Sequence, residues 1–470
     1  MTIHPARIHH LNRTRIQKPA SKGDYVLYWM QQSQRAAWNH ALEFSVDQAN
    51  RLGLPLVTGF GLTDDYPYAN LRHYTFMLEG LAETKAALAD RGIQLVVHKG
   101  NPPDVALGLG AQAALIVCDA GYLRHQRQWR DQVAQKASCP VFLVETDVVV
   151  PVSAATTKAE YAARTLRPRI HKVLADFVMP LPPKALKKPS LNLSFDSLDT
   201  TDPGLLNTLG IDTTVPPVSR FYPGGTTQAE KRFQAFLETG LEHYDQHSNQ
   251  PQTDDISHMS PYLHFGQISP LYLALAVMNA APSLSDAKDA FLEQLIIRRE
   301  LAFNFVYYTT NYDSFDVIPG WAQKTLADHE TDPREYIYSE QELADAATHD
   351  PYWNAAMEEM TSTGFMHNYM RMYWGKKILE WSPSPKQAYE TTLALNNRYF
   401  LDGRDPNSYT GVAWLYGIHD RGWAERPVFG KVRYMAASGL ERKCDIHAYV
   451  DKVKQRCAAV KSQNSYDFLN

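Results

Sequence analysis

The chain has 470 residues, 44% hydrophobic and 21% charged, with a formal net charge of −4. That length supports two or three domains around a large buried core. The acidic balance excludes bulk attraction to nucleic acid, so any DNA contact must come from a local basic patch. No apolar run approaches the ~18 residues of a membrane span. The opening MTIHPARIHHLNRTRIQ is basic without an apolar segment, which excludes a secretory signal. It reads as an ordinary flexible tail, with an organelle transit peptide as the alternative. Cys118, Cys139, Cys444 and Cys457 show neither C-x-x-C nor zinc spacing and read as reduced thiols of a cytosolic protein.

Between residues 25 and 150, short apolar runs alternate with amphipathic stretches. YVLYWM (25–30), PLVTGFG (55–61), QLVVHKG (94–100), ALIVCDA (114–120) and VFLVETD (141–147) predict buried strands. Residues 34–52, 72–91 and 124–134 predict the intervening helices, hence a parallel sheet covered on both faces. No G-x-G-x-x-G follows the first strand and no Walker A motif occurs, so a phosphate cradle of the usual kind is not expected. Crevices at the strand C-termini remain candidate ligand sites. Residues 179–225 are proline-rich and aperiodic, the mark of a long connector. From residue 226 onward the pattern is helical, with candidates at 228–241, 269–281, 284–308, 339–347, 351–362, 365–381 and 385–395.

The densest chemistry lies in residues 362–414. Met366, Tyr369, Met370, Tyr373, Trp374, Ile378 and Trp381 recur at three- and four-residue spacing, predicting a broad-faced apolar helix that opens at Gly364. Arg371 lies one turn before Trp374 on the same side, and a buried cation needs a partner. Asp402 or Asp405, on the following turn, supplies one. Such a stripe is ordinarily core packing; only the whole string points to a pocket wall. No HExxH, GxSxG or His/Cys cluster occurs, and His264, His349, His367 and His419 read as structural or hydrogen-bonding groups.

DISHMSPYLHFGQISP (255–270), ATHDPYWNAAMEEMTSTGFMHNYMRMYWGKKILEW (347–381) and LDGRDPNSYTGVAW (401–414) resemble the flavin-binding part of the photolyase and cryptochrome superfamily. VLYWMQQSQRAAWNHAL (26–42), YAARTLRPRI (161–170) and HDRGWAERPVFGKVRYM (419–435) narrow the resemblance to class II cyclobutane pyrimidine dimer DNA photolyases. It covers nearly the whole chain, in order. It implies a Rossmann-like α/β domain (1–178), a linker (179–225) and an all-helical domain (226–470) holding FAD. It also implies light-driven repair of double-stranded DNA by electron transfer to an extruded dimer, photolyases being among the enzymes known to extrude their target.

The same resemblance implies roles for individual residues. Tyr244, Ile256, Ser257, His258, Met259 and Ser260 would cradle FAD, short hydroxyls and N–H groups at a helix start suiting a pyrophosphate. Ordinary N-capping is the alternative for the serines. Arg371 and Asp402 would form an ion pair against the isoalloxazine, and Asn396 would face its N5, a helix C-cap or turn being the alternative. Trp353, Trp374 and Trp381 match a photoreduction chain, with Trp374 the candidate nearest the flavin. Met372, Trp414, Trp423 and Asn249 match lesion contacts, and Arg433 a residue entering the gap in the duplex. Residues 421–443, including Arg421, carry a net charge of +4, which suits phosphate. Two positions depart from the family. Gln294 stands where a dimer-contacting Glu is expected, with Glu293 next to it, and Ser248 stands where some members have an Arg.

A monomer is expected, with an antenna chromophore in the α/β domain: an 8-hydroxy-deazaflavin or, second, a folate. The location implied is cytoplasmic, or nuclear or organellar in a eukaryote. A cryptochrome-like photoreceptor and a repair-inactive DNA-binding flavoprotein are the rival readings.

Overall fold

The computed structural model describes residues 3–13 and 23–467, with side chains through residue 459. Six strands form one sheet: β1 (Ile8–His10), β2 (Tyr25–Trp29), β3 (Leu56–Leu62), β4 (Gln94–Lys99), β5 (Ala113–Asp119) and β6 (Val141–Val144). Their order is β1-β6-β5-β2-β3-β4, and all neighbours are parallel except β1 with β6. β2, β3 and β5 are buried at every position, because the crossover helices cover both faces. Those crossovers are His40–Leu52, Leu71–Asp90, Pro102–Gly110 and Arg124–Lys136.

β1 corrects the expectation of a flexible tail. Ile8, His9 and His10 pair with Val144, Leu143 and Phe142. Arg7 is 1% exposed and donates to the carbonyls of Glu145 and Val148, both at 3.1 Å. Three residues are too few to show alternation, and their anchor is a buried arginine, so neither feature was visible as a pattern. Residues 1–2 and 14–17 of that tail lie outside the described residues.

The connector runs along the outer edge of β4. Ser190 Oγ accepts the Gln94 N–H at 2.8 Å, and Ser197 Oγ accepts that of Val97 at 3.0 Å. An edge that would otherwise offer unpaired N–H groups is thereby covered.

Beyond residue 225 the long elements are helices, among them Thr226–Ala235, Pro270–Met278, Ser285–Leu292, Arg299–Tyr308, Pro351–Thr363, Asn368–Trp381, Pro385–Tyr399, Pro406–Leu415 and Ile446–Asp467. The helix predicted over 284–308 contains a π-helical turn, Glu293–Arg298. The one predicted to open at Gly364 begins at Asn368 instead. Gly364, at φ +74°, ends the preceding helix in the left-handed conformation.

Buried arginines join the two halves. Arg72, from the α/β half, donates to the carbonyls of Met360 (3.1 Å) and Tyr399 (2.7 Å), the negative ends of two helices. Arg35 pairs with Asp147 and donates to Gly266 O, both at 2.8 Å. Residues after the last strand, including Val150, Leu166 and Phe177, share one apolar cluster with Phe233, Phe265 and Leu271 of the helical half.

Candidate active site

A cavity of about 320 Å³ opens in the helical half, within the size range of small-molecule sites. Its first wall is the turn Ile256–Ser260, with Tyr244 and Asn249 beside it. The long C-terminal helix clamps this turn: Lys452 Nζ donates to Thr253 O at 2.9 Å and Arg456 to Asp254 Oδ2 at 2.6 Å. His258 sits at φ +54°, its Nδ1 2.8 Å from the Tyr222 hydroxyl. Burial lowers its pKa despite the neighbouring Asp254.

The opposite wall carries Arg371. Its Nη2 lies 3.0 Å from Asp402 Oδ1 and donates to Oδ2 at 3.1 Å, while Nε donates to Met366 O at 3.0 Å. Phe400 lies beneath the guanidinium at 3.9 Å, a cation–π contact that adds to the orientation. Of the two carboxylates expected as partners, Asp402 is therefore the one engaged. Asp405 instead sits 3.7 Å from His264. Burial works to raise the Asp405 pKa, but His264 and Arg299 hold it below the usual range.

Sequence reasoning missed Arg299. It lines the cavity, is 7% exposed, and donates through Nη1 to Asp147 O at 2.7 Å. Its Nη2 has no protein partner, and burial lowers its pKa. His367 Nε2 is likewise unpartnered, and burial pushes that histidine down to about 3. A buried guanidinium with one unpartnered nitrogen and an ion pair facing one cavity form a donor set suited to an anionic cofactor, because leaving such groups alone is costly. No signal in the sequence separated Arg299 from the run IIRRELAFNF.

This fold and cavity have relatives. The family described as DNA photolyase matches residues 26–189. A deoxyribodipyrimidine photo-lyase of Methanothermobacter thermautotrophicus is 50% identical over 96% of this chain and 99% of its own. One of Arabidopsis thaliana is 37% identical over 98% of this chain and 95% of its own. The chain belongs to the DNA photolyase family. A crystal structure of a Sulfolobus tokodaii photolyase with two FAD molecules shares the fold, at TM-score 0.66 and 15% identity over 91% of this chain and 89% of that one.

In this photolyase-family chain the expected residues fall into three places. Tyr244, Asn249, Ile256, Ser257, His258, Met259, Ser260, Gln294, Arg371 and Asp402 line the cavity, as does Ser248. Glu293 does not; it pairs with Arg167 at 2.8 Å and with Arg298 at 2.9 Å. Asn396 is 6% exposed in the last turn of its helix, its Nδ2 donating to Asn397 Oδ1 at 3.0 Å, and is not among the lining residues.

The second place is behind the cavity wall. Trp374 packs edge-on to Phe400 at 6.2 Å, the ring that supports Arg371. The Trp353 indole N–H donates to Trp374 O at 2.9 Å, and its ring meets Trp381 at 5.7 Å. Contacts link the three in the order 374, 353, 381, starting from the Phe400 ring beside Arg371.

The third place is a rim. Asn368 and Asn407 line the cavity; Met372 follows one turn after the first, and Trp414 two turns after the second. Gly411, between Asn407 and Trp414, faces open space. Beyond Trp414, Arg433 lies 5.5 Å from its ring and 4.1 Å from that of Trp423, and pairs with Asp420 at 3.0 Å. Arg421 covers Trp423 from 5.5 Å. Under this rim Lys376 is fully buried 5.5 Å from the Trp414 ring, and burial pushes its pKa down to about 7.

A separate cleft of about 70 Å³ lies where β2 and β3 end, lined by Phe60, Tyr66, Trp129, Phe265 and Arg404 among others. Arg404 is 2% exposed, and its Nε and Nη1 have no protein partner.

Proposed function

We propose that the protein is a light-driven DNA-repair enzyme that splits cyclobutane pyrimidine dimers in double-stranded DNA, working as a monomer of the class II kind. The observation that carries this reading is the cavity itself: the part-buried Arg371–Asp402 pair and a buried Arg299 with an unpartnered Nη2 face it, and Asn368 and Asn407, on its lining, stand on the helices that carry Met372 and Trp414. FAD, bound there in its reduced form, supplies the electron that opens the cyclobutane ring on illumination.

The chain's own residues do the rest. Arg371 favours a negatively charged ring against it, and Asp402 with Phe400 fixes the guanidinium. Arg299 Nη2 and the hydroxyls of Ser257 and Ser260 supply donors for anionic and ribityl groups. Asn396, expected at the N5 edge, would have to act from behind the lining, where its amide donates to Asn397 Oδ1. Met372, Trp414 and Trp423 grip the extruded bases by dispersion while Arg433 occupies the gap, its guanidinium 4.1 Å from the Trp423 ring and paired with Asp420. Trp374, Trp353 and Trp381 return an oxidised flavin to the working state. An antenna, a deazaflavin or a folate, belongs to the α/β domain in this reading, and Arg404 offers it unpartnered donors beside a cleft of about 70 Å³ that holds at most part of such a ring system.

The test is illumination of the reduced protein with dimer-containing DNA. Dimers lost in light and retained in the dark support the reading. Gln294 at the cavity mouth favours a second one, a flavoprotein that binds damaged DNA without repairing it, because an amide there carries no charge. Tight binding without light-dependent loss of dimers establishes that alternative.

A further inference from the structure

Lys376 lies in the middle of the Asn368–Trp381 helix and is 0% exposed. Its ammonium has one hydrogen-bond acceptor among the described residues, the Leu415 carbonyl at the end of the Pro406–Leu415 helix. It has no ion-pair partner among them; Asp420 and Arg433 are the charged groups that face it. An ammonium taken out of water without a carboxylate is expensive, and an apolar side chain of equal length would pack there at lower cost.

The surroundings show what the charge does. The Trp414 ring lies 5.5 Å from Lys376 Nζ, within cation–π range, and Arg433 stands equally far from the same ring. Leu415 O is one of the carbonyls that a helix end leaves without an intrahelical donor, at the negative pole of the helix. One ammonium thus binds both the helix end and the indole beside it. Gly375 permits the approach, since a Cβ there would collide with the Leu415 side chain. Met372 stands one turn before Lys376 on the same side of its helix. Lys376 therefore sits where the helices that carry Met372 and Trp414 touch.

We propose that Lys376 is a positioning residue for the base grip, its buried ammonium fixing the Trp414 indole at the helix end for contact with an extruded base. This rests on the reading of Trp414 as a base contact. An indole in the last turn of a helix has rotamers to lose when it meets a ligand. An ammonium that restrains both the ring and the neighbouring carbonyl makes that loss part of folding, so less is left to oppose binding.

The grip requires the charged form. A neutral amine still donates to Leu415 O but loses its attraction to the indole face. Burial lowers the Lys376 pKa to about 7, with Asp420 opposing the shift and Arg433 adding to it. Duplex phosphates at the rim favour the ammonium, so binding takes up a proton and weakens as pH rises above neutrality. Burial works to raise the Asp420 pKa, but Arg433 and the Arg421 N–H hold it below the usual carboxylate range. Neither it nor an arginine titrates in that window. The helices Pro351–Thr363 and Pro385–Tyr399 also pack on this one, and neither presents a charged group to Lys376.

The test is Lys376→Met, which keeps the length of the side chain and removes the ammonium. Fluorescence anisotropy with the FAD-loaded protein should show dimer-containing duplex bound roughly tenfold less tightly near pH 6, with undamaged duplex unaffected. The urea midpoint should not fall, which separates positioning from a merely structural role. In a Trp414→Ala background the same change should have no further effect. The wild type supplies a reading without any variant: its affinity for dimer-containing duplex should drop between about pH 6 and about pH 9, a drop that Lys376→Met abolishes. Equal dimer affinity in wild type and Lys376→Met, or a flat wild-type profile, overturns the inference alone. A wild type with no preference for dimer-containing over undamaged duplex overturns the grip and the inference together.

Discussion

The helical half sorts its tryptophans into two sets that meet opposite surroundings with the same side chain. Trp353, Trp374 and Trp381 are at most 2% exposed, meet other rings edge-on, and have no cation over Trp353 or Trp374. Trp414 and Trp423 lie open or half-open, with the Arg433 guanidinium set between them. Enclosure suits Trp353 and Trp374 to the proposed relay, while Trp381 has Lys377 5.6 Å from its ring; exposure beside arginine suits Trp414 and Trp423 to the proposed grip on bases. The Asn368–Trp381 helix carries members of the first set, and Pro406–Leu415 delivers Trp414 of the second, so one pair of helices joins conduit to surface.

Stability measurements probe that contrast with the largest expected effect. Trp353→Ala empties a fully buried site and should cost ~3–5 kcal/mol in urea unfolding, whereas Trp423→Ala should stay within ~0.5 kcal/mol. Comparable losses would erase the distinction. DNA binding reverses the order: Trp423→Ala should weaken binding to dimer-containing duplex by ~1–3 kcal/mol, measured by fluorescence anisotropy. Arg433→Ala should lower the slope of log K against log salt by about 1, and an unchanged slope would remove its phosphate contact. The subtlest effect is kinetic. Trp374→Phe, which keeps an aromatic ring at this buried position, should slow photoreduction of oxidised FAD and spare repair by pre-reduced protein. Unchanged photoreduction would take Trp374 out of the conduit.

What the sequence disclosed follows from how local each signal is. The apolar runs of β2 to β6 were plain because strands buried on both faces are continuous. Pro102–Gly110 went unread because its prolines and glycines resemble a loop, although proline at a helix start is well tolerated. Pro406–Leu415 was seen as a motif and not as a helix. The turn 256–260 and the Arg371–Asp402 pair were legible only as part of long strings with a family resemblance. Arg299 and Arg404 were not legible, since their significance lies in partners they lack in three dimensions. Asn396 and Trp374 lie behind the cavity wall, a depth that spacing along a helix does not encode.

The central claim is that the cavity between the 256–260 turn and Arg371 holds the flavin. Its most direct measurement is the flavin released on denaturing purified protein, wild type against Ser257→Trp, which fills the cavity from a half-buried position. One FAD per chain is expected in the wild type and almost none in a folded Ser257→Trp. Equal flavin in both, or a wild type that stays colourless after incubation with FAD, would contradict it.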